Sequence, residues 1–304
     1  MSNYDRSKPS TINAELAEHA ESLVQEVSAD SAGSALYVVA AVIAALVLLA
    51  PTRVDAQPAQ GRGGPPPTGQ AAARMDLTGY WVSIVTEDWL WRMITPPKGD
   101  LASVPLNPAG VQAANAWDLA KDNASGEQCK AFGAAAVMRI PGRLHITWQD
   151  PNTLKVETDA GTQTRLFHFN GTGGTGTQPT RRSLQGFSAA SWESGAAGGG
   201  GGGFGSFGAG AGGGLKVVTT QLSPGYLRKN GVPYSQNAGL TEYFDRHTDF
   251  GSEWFTVTTI VEDPQYLTQP FITSTHFKKE PDGSKWNPMA CHTDPPRTDK
   301  PLVN

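Results

Sequence analysis

Two stretches in the second half of the chain alternate between apolar and polar positions more regularly than the rest. Residues 240–247 and 254–262 are rich in β-branched and aromatic side chains, and an alternation with a period of two is typical of strands with one buried face. The turn-forming residues 248–252 lie between them, and Asp263-Pro264 follows the second stretch. This pattern predicts a β-hairpin.

The same alternation recurs along most of the chain and indicates further short strands between tight turns. These stretches are residues 82–87, 142–148, 153–159, 162–169, 183–192, 215–222 and 271–278. Among these strands one helix is predicted, over residues 107–120, because an Asn-Pro start is followed by Ala, Gln and Leu. About ten short strands with one helix predict an all-β fold, either an antiparallel up-and-down barrel of the lipocalin-like kind or a sandwich.

The N-terminal region, residues 1–56, has a different character. An acidic amphipathic helix is predicted for residues 11–27, and residues 35–50 form an uncharged apolar run of the length found in signal peptides. Small side chains at residues 54 and 56 predict cleavage before Gln57. Because the residues in front are acidic rather than basic, an uncleaved membrane anchor is the alternative to a cleaved signal peptide.

Low-complexity segments divide the remainder. Residues 57–75 are rich in Pro, Gly and Gln and are predicted to be a disordered linker. The β domain is predicted over residues 76–295, with a glycine tract at residues 195–214 as a disordered expansion of a hairpin tip. Residues 296–304 are predicted to be a loose tail.

Composition restricts the partners. The net charge of −4 gives no electrostatic reason to expect binding to nucleic acid or to an anionic membrane surface. Contact with a membrane is therefore expected only through residues 35–50, if they are not cleaved off. The two cysteines, Cys129 and Cys291, lack the spacing of a metal or redox motif. Export would favour one disulfide between them, with two free thiols as the alternative.

Short motifs between residues 79 and 295 resemble a group of uncharacterised exported bacterial proteins. The motifs are Asp159-x-Gly161-x-x-x-Arg165, Gly186-x-Ser188-x-x-x-Trp192, Thr241-Glu242-x-x-x-Arg246 and Asp263-Pro264-x-Tyr266-x-Thr268-x-Pro270. A Gly-x-Trp at residues 79–81 is in addition how lipocalin-like barrels begin. The resemblance implies an exported, lipocalin-like or barrel-like β domain, and it brings no catalytic residues with it.

Glu242 and Arg246 are in phase on one strand with Leu240 and Phe244, so apolar and charged side chains share a face. One interpretation is a structural ion pair at a barrel end. The other is a polar pair that orients a ligand carboxylate or hydroxyl, with Arg165 and a tyrosine, Tyr243 or Tyr266, nearby.

Other polar residues are weaker candidates. His145, His168 and His276 lie on predicted strands and would form a three-histidine metal site only if all three pointed inward. No metal and no cofactor is therefore expected. Glu262 and Asp263 are adjacent and point to opposite faces of a regular strand, so Asp263 is expected to cap the turn into Pro264.

The leading hypothesis is an exported β-barrel that binds a small, mostly apolar molecule in its interior. The expected contacts are aromatic and charged: Trp89, Arg92, Arg165, Glu242 and Arg246. An envelope enzyme of the hydrolase or isomerase type, using the same cavity with Glu242 or a histidine as base, is a second hypothesis. A structural or partner-binding envelope protein with a filled core is the third.

Overall fold

A computed structural model of the chain describes residues 67–169, 181–193 and 213–298. The predicted signal segment, the first part of the predicted linker, the glycine tract up to residue 212 and the end of the tail lie outside the described residues. Within the described residues no helix is long and apolar enough to cross a bilayer.

The described residues contain thirteen β-strands. In chain order they are β1 (Gly79–Ile84), β2 (Arg143–Asp150), β3 (Thr153–Thr158), β4 (Ala160–Gly161), β5 (Thr164–His168), β6 (Phe187–Trp192), β7 (Leu215–Thr220), β8 (Gly225–Tyr226), β9 (Pro233–Tyr234), β10 (Gly239–Asp249), β11 (Ser252–Glu262), β12 (Phe271–Glu280) and β13 (Met289–Ala290). Nine of them form a closed barrel in the order β1-β2-β3-β5-β6-β7-β10-β11-β12, with β12 returning to β1. The prediction of a mostly β fold is confirmed, and the closed barrel decides between barrel and sandwich.

The strands pair with their neighbours in the chain, as an up-and-down meander requires. The predicted hairpin forms in register, with Leu240 opposite Val261 and Asp249 opposite Ser252. One junction departs from the antiparallel pattern, because β5 and β6 run parallel, with Phe167 opposite Ser188. A closed ring of nine strands is odd in number, so strand direction cannot alternate all the way round, and the sequence gives no sign of this.

Large side chains fill the barrel interior. Trp81, Phe255 and Phe277 are buried and pack on one another, with ring centroids 4.7 Å apart for Trp81 and Phe255 and 4.8 Å apart for Phe255 and Phe277. Phe167 and Phe244 meet edge to face at 5.5 Å. Rings at these separations are in contact. Trp81 of the Gly-x-Trp sequence is thus part of the barrel core.

In the described part of the chain, five short helical segments replace the single helix predicted among the strands. They are α1 (Trp89–Met93), α2 (Pro108–Asn115), α3 (Leu119–Ala124), a 3-10 helix (Gln128–Phe132) and α4 (Ala134–Val137). The predicted helix over residues 107–120 is divided because Asp118 caps a second helix, its Oδ1 accepting hydrogen bonds from the backbone of Ala120 and Lys121. Asn107 caps the first in the same way, as its Asn-Pro start predicts.

The helical segments lie in the connection between β1 and β2. Ala134 and Ala135 of α4, with Val104 of the same connection, join residues from the connections after β7 and β11 in a second apolar cluster, separate from the barrel core. That cluster includes Leu240, Val261 and Phe271, which are at one end of their strands. We call this end of the barrel the helix-covered end. The helical connection thus covers this end of the barrel instead of forming a layer beside it.

Residues 67–75, the last part of the predicted disordered linker, contact the other end of the barrel. The backbone N–H of Gly69 donates to Asn152 Oδ1 at 2.8 Å, and Trp192 Nε1 donates to the carbonyl of Gly69 at 2.7 Å. Gln70 donates to the carbonyl of Pro151 at 2.9 Å. These bonds give the segment a defined position, which its composition does not predict.

Cys129 and Cys291 form a disulfide, as expected for an exported chain, with their Cα atoms 5.1 Å apart. The bond joins the 3-10 helix to the segment that follows β13. A disulfide fits a protein of an oxidising compartment.

Candidate functional site

Arg165 and Glu242 meet inside the barrel near the helix-covered end. Both side chains are fully buried. The guanidinium donates two hydrogen bonds to the carboxylate, from Nη1 to Oε1 at 2.9 Å and from Nη2 to Oε2 at 2.5 Å. Thr219 Oγ1 accepts a third bond from Arg165 Nη2 at 3.3 Å and is itself 2.8 Å from Ser188 Oγ. The two charges therefore satisfy each other almost completely, as in a structural ion pair.

Arg246 is not the partner of Glu242. The two residues share the inward face of β10, as predicted, but four residues of strand separate their side chains by about 13 Å. Arg246 instead forms an ion pair with Glu253 toward the tip of the hairpin. The expected pairing along one strand is replaced by a pairing across the barrel.

A second group of buried charges lies at the helix-covered end, and we call it the arginine cluster. It consists of Arg92 on α1, Arg139 after α4 and Arg228 in the turn between β8 and β9, which are 2%, 5% and 3% exposed. Buried arginines are uncommon unless each is paired. Their partners therefore decide what the cluster can do.

All three side-chain nitrogens of Arg92 have hydrogen-bond partners. Its Nε donates to the carbonyl of Arg139 at 2.9 Å, its Nη2 donates to Ser83 Oγ at 2.9 Å, and its Nη1 pairs with Glu87. Burial lowers the pKa of Arg92, and Glu87 opposes that effect. This residue anchors α1 to the first strand and to the segment after α4.

Arg139 has a hydrogen-bond partner for one of its two Nη atoms. Its Nη2 donates to Asp88 Oδ2 at 3.0 Å, and its guanidinium lies 5.6 Å from the centre of the Phe271 ring. Its Nη1 has no hydrogen-bond partner among the described residues. One donor of this arginine is therefore left over in a buried site.

Arg228 has the fewest hydrogen bonds of the three arginines in the cluster. Its guanidinium lies 4.9 Å from the centre of the Trp91 ring, and none of its three nitrogens has a hydrogen-bond partner among the described residues. Burial, together with the positive charge of Arg139, lowers the pKa of Arg228 to about 10, against the opposing effect of Asp88 and Asp100. The side chain is still a cation at neutral pH, so its charge is buried without a bonded anion.

Two neutral groups that closely follow Arg92 and Arg228 in the chain are also unsatisfied. The hydroxyl of Thr95 and the Oδ1 atom of Asn230 are buried and have no partner among the described residues. The Nδ2 atom of Asn230 donates to the carbonyls of Pro97 and Asp100, at 3.0 Å and 2.8 Å, so the orientation of this amide is fixed. Besides the charge of Arg228, an unpartnered hydroxyl and an unpartnered amide oxygen are therefore buried at the helix-covered end of the barrel.

The five residues predicted to contact a ligand fall in different places. Arg165 and Glu242 pair inside the barrel, and Arg92 belongs to the arginine cluster. Arg246 lies toward the hairpin tip, and Trp89 is 63% exposed on α1. The fold does not bring these five side chains into one site.

Arg139, Arg228 and Trp91 were not among the predicted contacts. A usable signal exists for Arg139, which is the one charged residue in the apolar run of residues 131–142, since an isolated arginine in such a run is a candidate for burial. Arg228 lies in a polar-looking turn with Lys229 and Asn230, so nothing local distinguishes it.

The three histidines do not converge. His145 stacks on Tyr80 with ring centroids 4.2 Å apart, and His168 stacks on Phe187 at 5.1 Å. His276 Nδ1 is 3.0 Å from Thr256 Oγ1. These residues are partly exposed and alternate with the buried positions of their strands, so the hypothetical three-histidine site does not form. The described residues contain no group of three or more His, Cys, Asp or Glu that could hold a metal ion.

Asp263 caps its turn as predicted. Its Oδ1 accepts a hydrogen bond from the backbone N–H of Gln265 at 3.0 Å. The same carboxylate also accepts bonds from the backbone N–H and the hydroxyl of Ser235, at 2.6 Å and 2.8 Å. Asp263 is therefore a structural residue that ties two loops of the helix-covered end together.

Comparison with protein-family models, with curated proteins and with solved structures gave no match for this chain. The resemblance to exported bacterial β domains therefore stays a prediction, and the argument for function depends on the geometry of the arginine cluster.

Proposed function

We propose that this chain is an exported β-barrel protein that binds a small molecule through an acidic group at the arginine cluster. The observation that carries the proposal is Arg228, a buried cation whose three nitrogens lack partners among the described residues. Burying such a charge without a partner costs several kcal/mol in a protein interior. A carboxylate or phosphate that bridges Arg228 and the spare Nη1 of Arg139 would remove that cost.

The surroundings favour a ligand that is otherwise apolar. The rings of Trp91 and Phe271 lie against Arg228 and Arg139. Leu227, the neighbour of Arg228, belongs to the apolar cluster of the helix-covered end. An apolar body with one acidic group would match these neighbours. The expectation of a mostly apolar ligand is kept, and its site moves from the filled barrel interior to the barrel end.

Export is part of the proposal. The disulfide between Cys129 and Cys291 supports an oxidising compartment, and residues 35–50 supply the apolar core of a signal peptide. N-terminal sequencing of the mature protein tests this, with a start at Gln57 as the expected result. An intact N-terminus recovered with membranes would favour the anchor.

Native mass spectrometry of protein purified from the cells that make it tests the binding proposal. We expect a species heavier than the polypeptide, lost in Arg228→Met and kept in Arg246→Met, the matched control at the hairpin. Wild-type protein with the mass of the polypeptide alone would contradict the proposal. So would an adduct that survives Arg228→Met.

A filled core also favours a second candidate, a structural or partner-binding envelope protein. The packed rings of Trp81, Phe255 and Phe277 and the closed Arg165–Glu242 pair support it. This candidate predicts that no small molecule is bound, so Arg228→Met should leave the mass of the native protein unchanged apart from the substitution. The enzyme alternative has less support, because both oxygens of Glu242 accept hydrogen bonds from Arg165 and are not turned toward a substrate.

A further inference from the structure

A segment near the end of the chain returns to the helix-covered end, and we call residues 289–298 the C-terminal strap. It begins with β13, which pairs in parallel with β4, placing Met289 opposite Ala160. Thr162 Oγ1 donates to the carbonyl of Met289 at 2.9 Å. The disulfide from Cys291 to Cys129 follows directly. The start of the strap is therefore fixed both by backbone pairing and by a covalent bond.

Beyond the disulfide the strap passes both segments that border the arginine cluster. Thr293 is buried and lines a shallow pocket together with Lys229. Asp294 is close enough to Lys229 for its charge to oppose the effect of burial, which lowers the pKa of that lysine. Farther on, the backbone N–H of Arg297 donates to the carbonyl of Thr95 at 3.2 Å.

These two contacts flank the unsatisfied groups. Lys229 lies between Arg228 and Asn230 in the chain, and Thr95 carries the unpartnered hydroxyl. The strap thus spans from the turn that supplies Arg228 to the loop that follows α1. The strap is therefore attached to two of the segments that adjoin the cluster in the chain.

The strap after Cys291 is weakly attached compared with its start. His292, Asp294, Pro295, Arg297 and Thr298 are exposed, and Thr293 is its one buried residue. Pro295-Pro296 favours an extended, stiff backbone without internal hydrogen bonds. Such a segment can swing as a unit about the disulfide with the loss of few contacts.

We infer that residues 292–298 form a lid over the arginine cluster, hinged at the Cys129–Cys291 disulfide. The inference rests on the proposed function in that the lid would control entry of the acidic ligand to Arg228. When the lid opens, the bond from Arg297 to Thr95 breaks and Thr293 leaves its buried position. The disulfide keeps the lid attached while it moves.

Reaction of arginines with phenylglyoxal, read by peptide mass, tests the lid without any ligand. Arg297→Pro removes the N–H that bonds Thr95, whereas Arg297→Ala keeps it, and both variants lose the arginine side chain. Loss of a bond worth about 1 kcal/mol raises the open fraction about fivefold. We expect Arg228 to react about fivefold faster in Arg297→Pro than in Arg297→Ala, with both proteins first refolded from urea to remove bound molecules. Arg165, inside the barrel, should stay unmodified.

Equal rates for Arg228 in the two variants would overturn the lid. A parallel rise for Arg165 would also overturn it, because that result means general loosening of the fold. Removal of the disulfide by Cys129→Ser and Cys291→Ser should make Arg228 react faster than in the protein with the disulfide. An unchanged rate would contradict the hinge. The proposed function fails separately, by the absence of a bound molecule in native mass spectrometry.

Discussion

Replacement of Arg228 by Met makes the sharpest prediction, because it should stabilise the ligand-free protein. Methionine is unbranched and adaptable in packing and matches the arginine side chain as far as Nε, so it removes the charge and fills part of the space beside the Trp91 ring. Most substitutions of a buried residue are destabilising. An increase in stability would therefore be diagnostic.

The magnitude follows from the environment of Arg228. Burial lowers its pKa to about 10, and that drop corresponds to a cost of about 3 kcal/mol for burying the cation. The substitution also loses the cation–π contact with Trp91, worth about 2 kcal/mol when desolvated. The free energy of unfolding of the ligand-free variant should therefore rise by about 1 kcal/mol.

Arg165→Met is the matched control, since it makes the same change at a buried arginine that has a partner. It leaves Glu242 buried without its cation and should lower the free energy of unfolding by about 3 to 5 kcal/mol. Urea denaturation of the oxidised proteins, after any ligand has been removed by refolding, measures both. If Arg228→Met destabilises the protein as much as Arg165→Met does, Arg228 has a protein partner and the reasoning is refuted.

Three further predictions concern the scaffold. Reduction of the Cys129–Cys291 bond, which closes a loop of 162 residues, should lower stability by about 5 kcal/mol, and an unchanged urea midpoint with dithiothreitol would contradict this. Burial lowers the pKa of His168 below its ordinary 6.5, so stability should fall as pH drops below 6.5, and His168→Gln should flatten that slope. Gly231→Ala, whose Cβ would lie 2.0 Å from Trp117 at φ +79°, should lower the thermal midpoint, and an equal midpoint would exclude the clash.

The sequence predicts which face of a strand a residue occupies better than it predicts the partner of that residue. Leu240, Glu242 and Phe244 share the inward face of β10, as the period of two requires. The partner of Glu242 is 77 positions away on β5, and closure of the barrel brings the two together. Local alternation contains no information about which strands meet across the interior.

The arginine cluster was harder to predict for a similar reason. Its three members come from α1, from the residues after α4 and from the turn between β8 and β9. Each lies in a connection, where neither periodicity nor strand register restricts the position of a side chain. Arg92 alone was among the residues predicted to contact a ligand.

A crystal structure of the oxidised protein, purified from the cells that make it and without refolding, tests the central claim most directly. We predict a bound molecule whose acidic oxygens lie within hydrogen-bond distance of Arg228 and of Arg139 Nη1. Arg228 bonded only to protein atoms or to ordered water, with no acidic group beside it, would contradict the account.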